Sequence, residues 1–256
     1  MPVHLTVLGK SPSWQDRDGA CSGYLVEVDG TALVIDCGSG VFAKLRRHGA
    51  YERVAAVVIS HVHADHVLDL VPFAYALAFG PPLRDAPPAL HVPPGGGEQL
   101  RRMCASWGSA TLIEDAFALS EYDPSAELAI DAAALRFRTL PHYVPSNAIE
   151  LRARAGGGRL VLSADCGPND ELAVFAHGAQ VLLIESTQLD PQPGSGDRAG
   201  HLSAGEAGAI GRAAAVERLV LTHFSDQLDR DGLRERAQAA FGGPVELAAE
   251  GAVYSV

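Results

Sequence analysis

The chain has 256 residues, of which 47% are hydrophobic and 20% are charged, and its 31 acidic and 20 basic residues give a formal net charge of −11. This length and composition provide enough apolar material for a large α/β domain and exclude the disordered and fibrous classes. Two of the basic residues are lysines, Lys10 and Lys44, and the arginines are scattered, so the sequence predicts no broad basic surface for nucleic acid.

Targeting and membrane signals are the next features to consider. Residues 1–14 lack the basic start and the long apolar run of a secretory signal, and no stretch approaches the ~18 consecutive apolar residues of a membrane span. We therefore expect a cytoplasmic protein without a membrane partner. Four cysteines are too few and too widely spaced for a disulfide scaffold, and we interpret them as reduced thiols: Cys21, Cys37, Cys104 and Cys166.

Short β-branched runs alternate with helical patterns in the first half of the chain. Asp29-Gly30 forms a turn signal between two strand-like runs, so the start of the chain is expected to be antiparallel. The apolar residues from Val67 to Phe79 are dense enough to predict a buried helix, and prolines 81, 82, 87 and 88 predict a loop after it. Strands are predicted over 3–9, 22–29, 31–36 and 54–60, with a short helix over 40–50 and an exposed helix over 95–108.

Strand-like runs also lead the second half of the chain. Ser203-Ala-Gly-Glu206 fits a capping box that opens a helix running to about Val216. Because strands lead both halves and helices follow each, we predict a single α/β domain over 1–256. Its expected architecture is a four-layer αβ/βα sandwich, two mixed sheets face to face with helices outside. The strands are predicted over 134–141, 147–153, 159–165, 180–186 and 218–223.

A cluster of histidines carries the clearest chemical signal. The segment His61-Val62-His63-Ala64-Asp65-His66 follows the buried strand predicted over 54–60. A tight loop after a strand can direct three imidazoles and one carboxylate at a single point. This donor set suits zinc, manganese or iron better than magnesium or calcium. The cluster therefore predicts a transition-metal site.

The cluster resembles His-x-His-x-Asp-His, the hallmark of the metallo-β-lactamase superfamily. Other positions of that family's metal site have counterparts in the same order at the ends of predicted strands: Asp36, His142, Asp165 and His223. The resemblance implies two divalent ions, zinc first, with manganese or iron as alternatives. It implies that His61, His63 and His142 bind one ion, that Asp65, His66 and His223 bind the other, that Asp165 bridges them, and that Asp36 orients the cluster.

One position separates this chain from true β-lactamases. Those enzymes carry a cysteine at the ligand position that Asp165 matches, so the resemblance disfavours β-lactam hydrolysis. Cys166 is one residue further along and should point the other way on a strand. We therefore interpret Cys166 as a packing residue.

Within the superfamily, the sequence is most similar to the phosphodiesterase branch, which includes ribonuclease Z and bacterial cyclic-nucleotide phosphodiesterases. The similar segments are Glu185-Ser186-Thr187, with Ile184 in place of that branch's histidine, then Gly200 to Ala204 and Leu221 to Ser225. The resemblance implies that His201 protonates the leaving alkoxide while Glu185 holds its imidazole, and that Asp65 and Asp36 serve catalysis through the metal site. As alternatives, His201 is a loop histidine in a Gly-rich turn, and Glu185 is a solvated carboxylate at a strand end.

The spacing between two of these residues bears on the substrate. Ribonuclease Z carries a long arm that grips transfer RNA, whereas 22 residues separate His142 from Asp165 here. With the acidic balance, this predicts a small phosphodiester such as a 3′,5′-cyclic nucleotide, attacked by a metal-bridging hydroxide, and argues against transfer RNA. Alternatives are an RNA 3′-end nuclease, a lactone or carboxyl-ester hydrolase, and a non-catalytic metal-binding protein. The resemblance also implies that the chain can form a homodimer.

Overall fold

The computed structural model describes residues 2–81, 86–192 and 200–256. Two mixed β-sheets form the centre of the fold, each with seven strands within those ranges. The strands are β1 (Val3–Gly9), β2 (Gly23–Val28), β3 (Thr31–Ile35), β4 (Val54–Val58), β5 (Ala89–Val92), β6 (Ala118–Glu121), β7 (Leu128–Ile130), β8 (Ala133–Leu140), β9 (Ser146–Ala153), β10 (Leu160–Leu162), β11 (Val181–Glu185), β12 (Arg218–Thr222), β13 (Val245–Leu247) and β14 (Val253–Ser255).

The first sheet has the order β14-β1-β2-β3-β4-β5-β6. Strands β1, β2 and β3 pair antiparallel, as the sequence predicts, and β3 to β6 run parallel to one another. The turn between β2 and β3 has φ of 44° at Asp29 and 81° at Gly30. Both values are positive, as in the turns that match the twist of a hairpin.

The second sheet has the order β13-β12-β11-β10-β9-β8-β7. Its strands pair antiparallel from β7 to β10 and parallel from β10 to β13. The strand predicted over 159–165 is shorter than expected, because Ala164 has a left-handed φ of 52° and the chain leaves the sheet before it. This early departure brings the chain to the site described below.

Helices cover the outer faces of both sheets. They are α1 (Val41–Arg47), α2 (Ala64–Val67), α3 (Leu70–Phe79), α4 (Gly96–Ala105), α5 (Leu112–Ala116), α6 (Glu171–Phe175), α7 (Ala204–Ala213) and α8 (Arg230–Phe241), with a 3₁₀ turn at Tyr51–Arg53. The predicted capping box is present at the start of α7, where Ser203 and Glu206 exchange hydrogen bonds. None of the helices in the described ranges is long and apolar enough to cross a membrane.

Side chains alternate between two apolar layers along each central strand. In β3, Leu33 and Ile35 lie in the core between the sheets, whereas Val34 packs beneath the helices of the first sheet. In the second sheet, Leu183 lies between the sheets and Leu182 packs under the outer helices. The predicted four-layer αβ/βα sandwich is confirmed.

The prediction of one buried helix from Val67 to Phe79 is wrong. The segment forms α2 and α3, and α3 buries Leu70, Phe73 and Ala74 while Phe79 is 78% exposed. Only one face of a helix in an outer layer contacts the sheet, however apolar its other faces are. Helix α4 is exposed except along one stripe that includes Leu100. Of the four prolines predicted to form a loop, Pro82 lies outside the described residues.

Candidate metal centre

The predicted site residues converge where six strands end at one edge of the sandwich. Strands that share a direction in a sheet bring their carboxyl ends to the same edge, so residues far apart in sequence meet there. Asp36 follows β3, His61 comes after β4, His142 after β8 and Asp165 after β10, while Glu185 ends β11 and His223 follows β12.

Three residues at these strand ends have a left-handed backbone that is uncommon outside glycine. The φ values are 57° at Asp36, 52° at Ala164 and 56° at His223. Such conformations cost about 1–3 kcal/mol each and persist where the surrounding structure enforces them. At each position the chain turns sharply out of its sheet, which directs a site residue over the edge.

The first ligand group consists of His61, His63, His142 and Asp165, whose donor atoms lie within 4.8 Å of one another. His63 Nδ1 lies 3.1 Å from Nε2 of both His61 and His142. Asp165 Oδ2 is 3.8 Å from His61 Nε2. Two ligands bound to one tetrahedral zinc ion lie roughly 3.3 Å apart, so these separations suit a single ion.

The second ligand group consists of Asp65, His66, Asp165 and His223, all of them buried. His223 Nε2 lies 3.2 Å from Asp65 Oδ2 and 3.3 Å from Asp165 Oδ2. Asp165 Oδ1 is 3.3 Å from His66 Nε2. Asp165 therefore belongs to both groups, at the position that a bridging carboxylate needs.

The outer nitrogens of three imidazoles donate hydrogen bonds to the protein. His66 Nδ1 donates to Asp36 Oδ2 at 2.8 Å, His142 Nδ1 to the Gly200 carbonyl at 2.6 Å, and His223 Nδ1 to Thr187 Oγ1 at 2.9 Å. With the proton on Nδ1, the neutral form of each ring presents its Nε2 lone pair toward the site, as a metal ligand requires.

The fit of this donor set to a metal can be tested on one buried atom. His66 Nε2 is enclosed and makes no hydrogen bond to the described residues. Buried polar atoms are almost always paired, so an unpaired nitrogen among carboxylates and imidazoles marks the place of a missing partner. The seven residues of the two groups therefore fit two divalent ions of the zinc, manganese or iron type.

Ionisation differs between the two groups. Burial lowers the pKa of His61, His63 and His142, which favours neutral imidazoles. Burial acts in the same direction on His66, but the Asp165 and Asp36 carboxylates outweigh it and raise the His66 pKa well above its usual range. Without metal, the first group thus offers free lone pairs, whereas the second is an ion-pair network.

Glu185 is a buried carboxylate, so the alternative of a solvated strand-end residue is wrong. It is 1% exposed. Oε1 accepts hydrogen bonds from the Cys166 amide and His201 Nδ1, both at 3.0 Å. Oε2 accepts from the Thr187 amide and hydroxyl at 3.1 and 2.8 Å and from the Leu202 amide at 3.1 Å. These bonds fix the carboxylate and, through it, the ring of His201.

His201 lies against both ligand groups. Its ring stacks on that of His223 with centroids 5.7 Å apart, and Nδ1 is 4.0 Å from Asp165 Oδ2. Burial lowers the pKa of His201, but the hydrogen bond and charge of Glu185 outweigh it, so the net shift is upward. Glu185, His201 and His223 also form a third set of donors close enough to hold an ion.

Two residues of the site carry roles that the sequence did not reveal. Thr187 Oγ1 connects His223 to Glu185 and also lies 3.2 Å from His201 Nδ1. Ser60 donates to both carboxylate oxygens of Asp36, from its amide at 2.7 Å and its hydroxyl at 2.8 Å. Ser60 ends the apolar run that forms β4, and a polar residue at such a position is the signal that could have found it.

Cys166 is buried as predicted, although the predicted strand alternation is not the reason, because β10 ends at Leu162 and neither Asp165 nor Cys166 belongs to a strand. Cys166 is fully buried in the apolar layer between the second sheet and its helices, while Asp165 joins the ligand groups. Burial raises the pKa of the Cys166 thiol well above its usual range. Its interpretation as a packing residue is confirmed.

Comparison with known proteins agrees with this geometry. Residues 31–224 match the family described as the beta-lactamase superfamily domain. The chain belongs to this superfamily. A probable metallo-hydrolase, YhfI of Bacillus subtilis, is 29% identical over 98% of this chain and 99% of that protein. A ribonuclease Z of Myxococcus xanthus is 28% identical over 97% of this chain and 96% of its own length.

Solved structures of this superfamily share the fold of the chain. The crystal structure of YhfI has a TM-score of 0.89 at 27% identity and covers the whole of both chains. The short form of human tRNase Z has a TM-score of 0.75 at 21% identity and covers 98% of both chains, which is a likeness of fold. The protein is therefore a hydrolase with the metallo-β-lactamase fold.

Proposed function

We propose that this hydrolase is a dinuclear metal-dependent phosphodiesterase that acts on a small phosphodiester such as a 3′,5′-cyclic nucleotide. The observation that carries the proposal is the pair of His201 and Glu185, held against both ligand groups. Hydrolysis of such a substrate expels an alkoxide of high pKa, which needs a proton. A histidine fixed by a buried carboxylate is suited to supply one.

The metal ligands follow from the geometry of the two groups. His61, His63 and His142 would hold one ion, Asp65, His66 and His223 the other, and Asp165 would bind both. When bound, two such ions polarise the phosphoryl oxygens and lower the pKa of a water shared between them. We propose zinc as the metal, since imidazole and carboxylate donors suit it.

Protein groups would then control the proton of the leaving oxygen. The His201 Nδ1 hydrogen bond to Glu185 leaves Nε2 to carry the transferable proton. The upward shift of the His201 pKa keeps the imidazolium populated to higher pH than in a free histidine. Asp36 acts one step further out, because it holds His66 and is itself held by Ser60.

The region between His142 and Asp165 supports a small substrate. Its 22 residues form β9, β10 and short connections, so nothing in this described stretch extends from the sandwich as a transfer-RNA arm would. The net charge of −11 also disfavours a long polyanion. We therefore propose a small-molecule partner in place of transfer RNA.

A leaving-group comparison tests the proposal. His201→Ala in the metal-loaded enzyme should keep both ions but lower kcat on cyclic AMP by ~10²–10⁴-fold, as expected for the loss of a general acid. Bis-p-nitrophenyl phosphate should be affected little, because p-nitrophenolate leaves without a proton. Glu185→Gln should show the same pattern more weakly. Equal losses on both substrates, or loss of metal in the His201 variant, would contradict the role of His201.

A substrate panel tests the reaction class with the same preparation. We expect the wild-type enzyme to hydrolyse bis-p-nitrophenyl phosphate and cyclic AMP and to leave a precursor transfer RNA and a lactone largely intact. Activity confined to the lactone would refute the phosphodiesterase proposal. Efficient cleavage of the precursor, with a steep salt dependence, would replace it by the RNA-nuclease alternative.

A further inference from the structure

A cleft with a volume of about 180 Å³ opens beside the first ligand group. We call it the side cleft. It lies between loops of the two sheets: Val62, Pro93 and Gln99 line it from the first sheet and its helix α4, and Thr139 and Val144 line it from the second. The cleft therefore sits at the same edge of the sandwich as the candidate metal centre.

Two residues that line the side cleft are close in sequence to ligands of the first group. Val62 stands between His61 and His63 in the chain, and Val144 lies two residues after His142. The ring nitrogens of His63 and His142 are 3.1 Å apart, so the chain segments that carry Val62 and Val144 approach each other at the first ligand group. A substituent of a molecule bound at the metal centre could thus enter the side cleft.

The chemistry of the walls is apolar and rigid. Valine and proline supply the facing surfaces, and proline rings have little conformational freedom to lose when a ligand binds. The Thr139 hydroxyl is already engaged, because it donates to Asn147 Oδ1 at 2.8 Å. Gln99 is exposed, and its amide, which can both donate and accept hydrogen bonds, has no such partner among the described residues.

We propose that the side cleft binds the nucleobase of the substrate, with the Gln99 amide at the edge of the ring. The inference rests on the proposed phosphodiesterase function and names its substrate class as a nucleotide. An apolar cavity of about 150 Å³ accepts one benzene ring, so the side cleft has room for a flat aromatic ring. Its valine and proline walls favour such a ring over a charged or strongly polar group.

The exposed ring of Tyr143 is an alternative contact for a base at the metal centre. Tyr143 is 62% exposed, and its ring packs against Gly200, where an added Cβ would lie 2.3 Å from the ring. The Tyr143 ring centroid is 5.8 Å from that of His201. This surface is a single exposed ring without opposing walls, so it offers a base less contact than the side cleft does.

Binding of the product AMP, compared with ribose 5-phosphate, which lacks the base, tests the proposal without requiring turnover. The zinc-loaded wild-type protein should bind AMP about 10-fold more tightly than ribose 5-phosphate by calorimetry, since removing part of one face of the base from water against apolar walls is worth about that much. Gln99→Trp, which fills the mouth of the cleft, should abolish this difference and leave ribose 5-phosphate binding unchanged. Arg102→Trp is the matched control, because Arg102 is an exposed residue of α4 that does not line the cleft.

Other results would contradict either the base subsite or the proposed function. Equal affinity of the wild-type protein for AMP and ribose 5-phosphate would refute the base subsite, as would a preference for AMP that survives in Gln99→Trp with unchanged circular dichroism and metal content. Loss of the preference in Tyr143→Ala but not in Gln99→Trp would place the base against Tyr143 and not in the side cleft. A wild-type protein that prefers AMP but hydrolyses no cyclic nucleotide would contradict the proposed function and leave the subsite standing.

Discussion

The two ligand groups share Asp165 but differ in how the protein encloses and supports them. In the first group, His63 is half-buried and the side cleft lies alongside. In the second, every member is buried, His66 is held by Asp36 and His223 by Thr187. Hydrogen bonds to the outer nitrogens fix ligand direction and strengthen metal binding. We therefore expect the second group to retain its ion and the first to face the substrate.

Removal of Asp165, the ligand that both groups share, should disrupt metal binding by both groups and so abolish the difference between them. Asp165→Ala deletes the carboxylate that belongs to both groups, so we expect the loss of at least one of two bound ions and of nearly all hydrolysis. Elemental analysis of protein purified without chelator should approach two equivalents for the wild type. A variant that keeps two equivalents and substantial activity would show that Asp165 does not bridge.

Replacement of Asp36, which accepts the hydrogen bond from His66 Nδ1, should lower the metal affinity of the second group selectively. Asp36→Asn places an amide N–H toward His66 Nδ1, which favours the tautomer with the proton on Nε2, where a metal would bind. Affinity for one of the two ions should fall about 10–100-fold, measured by chelator competition. Ser60→Ala, which removes one donor to Asp36 but keeps the carboxylate, should have a smaller effect. If the affinity for both ions falls equally, the two groups do not differ in how the protein supports them.

Thr187 offers a milder perturbation of the same group. Thr187→Val keeps the shape but removes the acceptor for His223 and one donor to Glu185. We expect about 10-fold weaker binding of one ion. Thr187→Ser should restore wild-type binding, because the hydroxyl carries the effect. If Thr187→Val and Thr187→Ser behave alike in chelator competition, Thr187 serves packing only.

The smallest expected effect concerns the backbone that directs Asp165. Ala164 has a φ of 52°, which glycine adopts without strain, so Ala164→Gly should raise stability by up to about 1 kcal/mol. Ala239→Gly on the exposed side of α8 should instead lower stability by about 1 kcal/mol. Thermal unfolding of the metal-free proteins measures both. A destabilised Ala164→Gly variant would show that this backbone is not strained.

The sequence predicted the central strands well because their signal is local. The run 54–60 is almost continuously apolar, and β4 (Val54–Val58) is a strand covered on both faces. The prediction missed β5 (Ala89–Val92), β6 (Ala118–Glu121) and α5 (Leu112–Ala116), since elements of four or five residues have little room for a periodic pattern. It also missed α8 and the strands β7, β13 and β14, together with α6.

The resemblance supplied the members of the candidate site and their division into two groups, but not the hydrogen bonds that support them. His61 to His66 stand together in the sequence, whereas Asp36, Asp165 and His223 were assigned because they match the family's metal-site positions in the same order, each after an apolar run. The bonds of Thr187 to His223 and of Ser60 to Asp36 join strands that are distant in sequence, so no local pattern encodes them. The exposed face of α3 was mispredicted because apolar density does not reveal which layer a helix occupies.

The pairing of β14 with β1 has a consequence for biosynthesis. Val3 and Val256 exchange backbone hydrogen bonds of 2.8 and 3.1 Å, and β14 lies beside β1 in the first sheet. On the ribosome, β1 therefore presents an unpaired strand edge, which is prone to pairing with other chains, until β14 has emerged. Every member of the two ligand groups is synthesised before β14. This edge of the first sheet is thus closed only after every ligand residue has been synthesised.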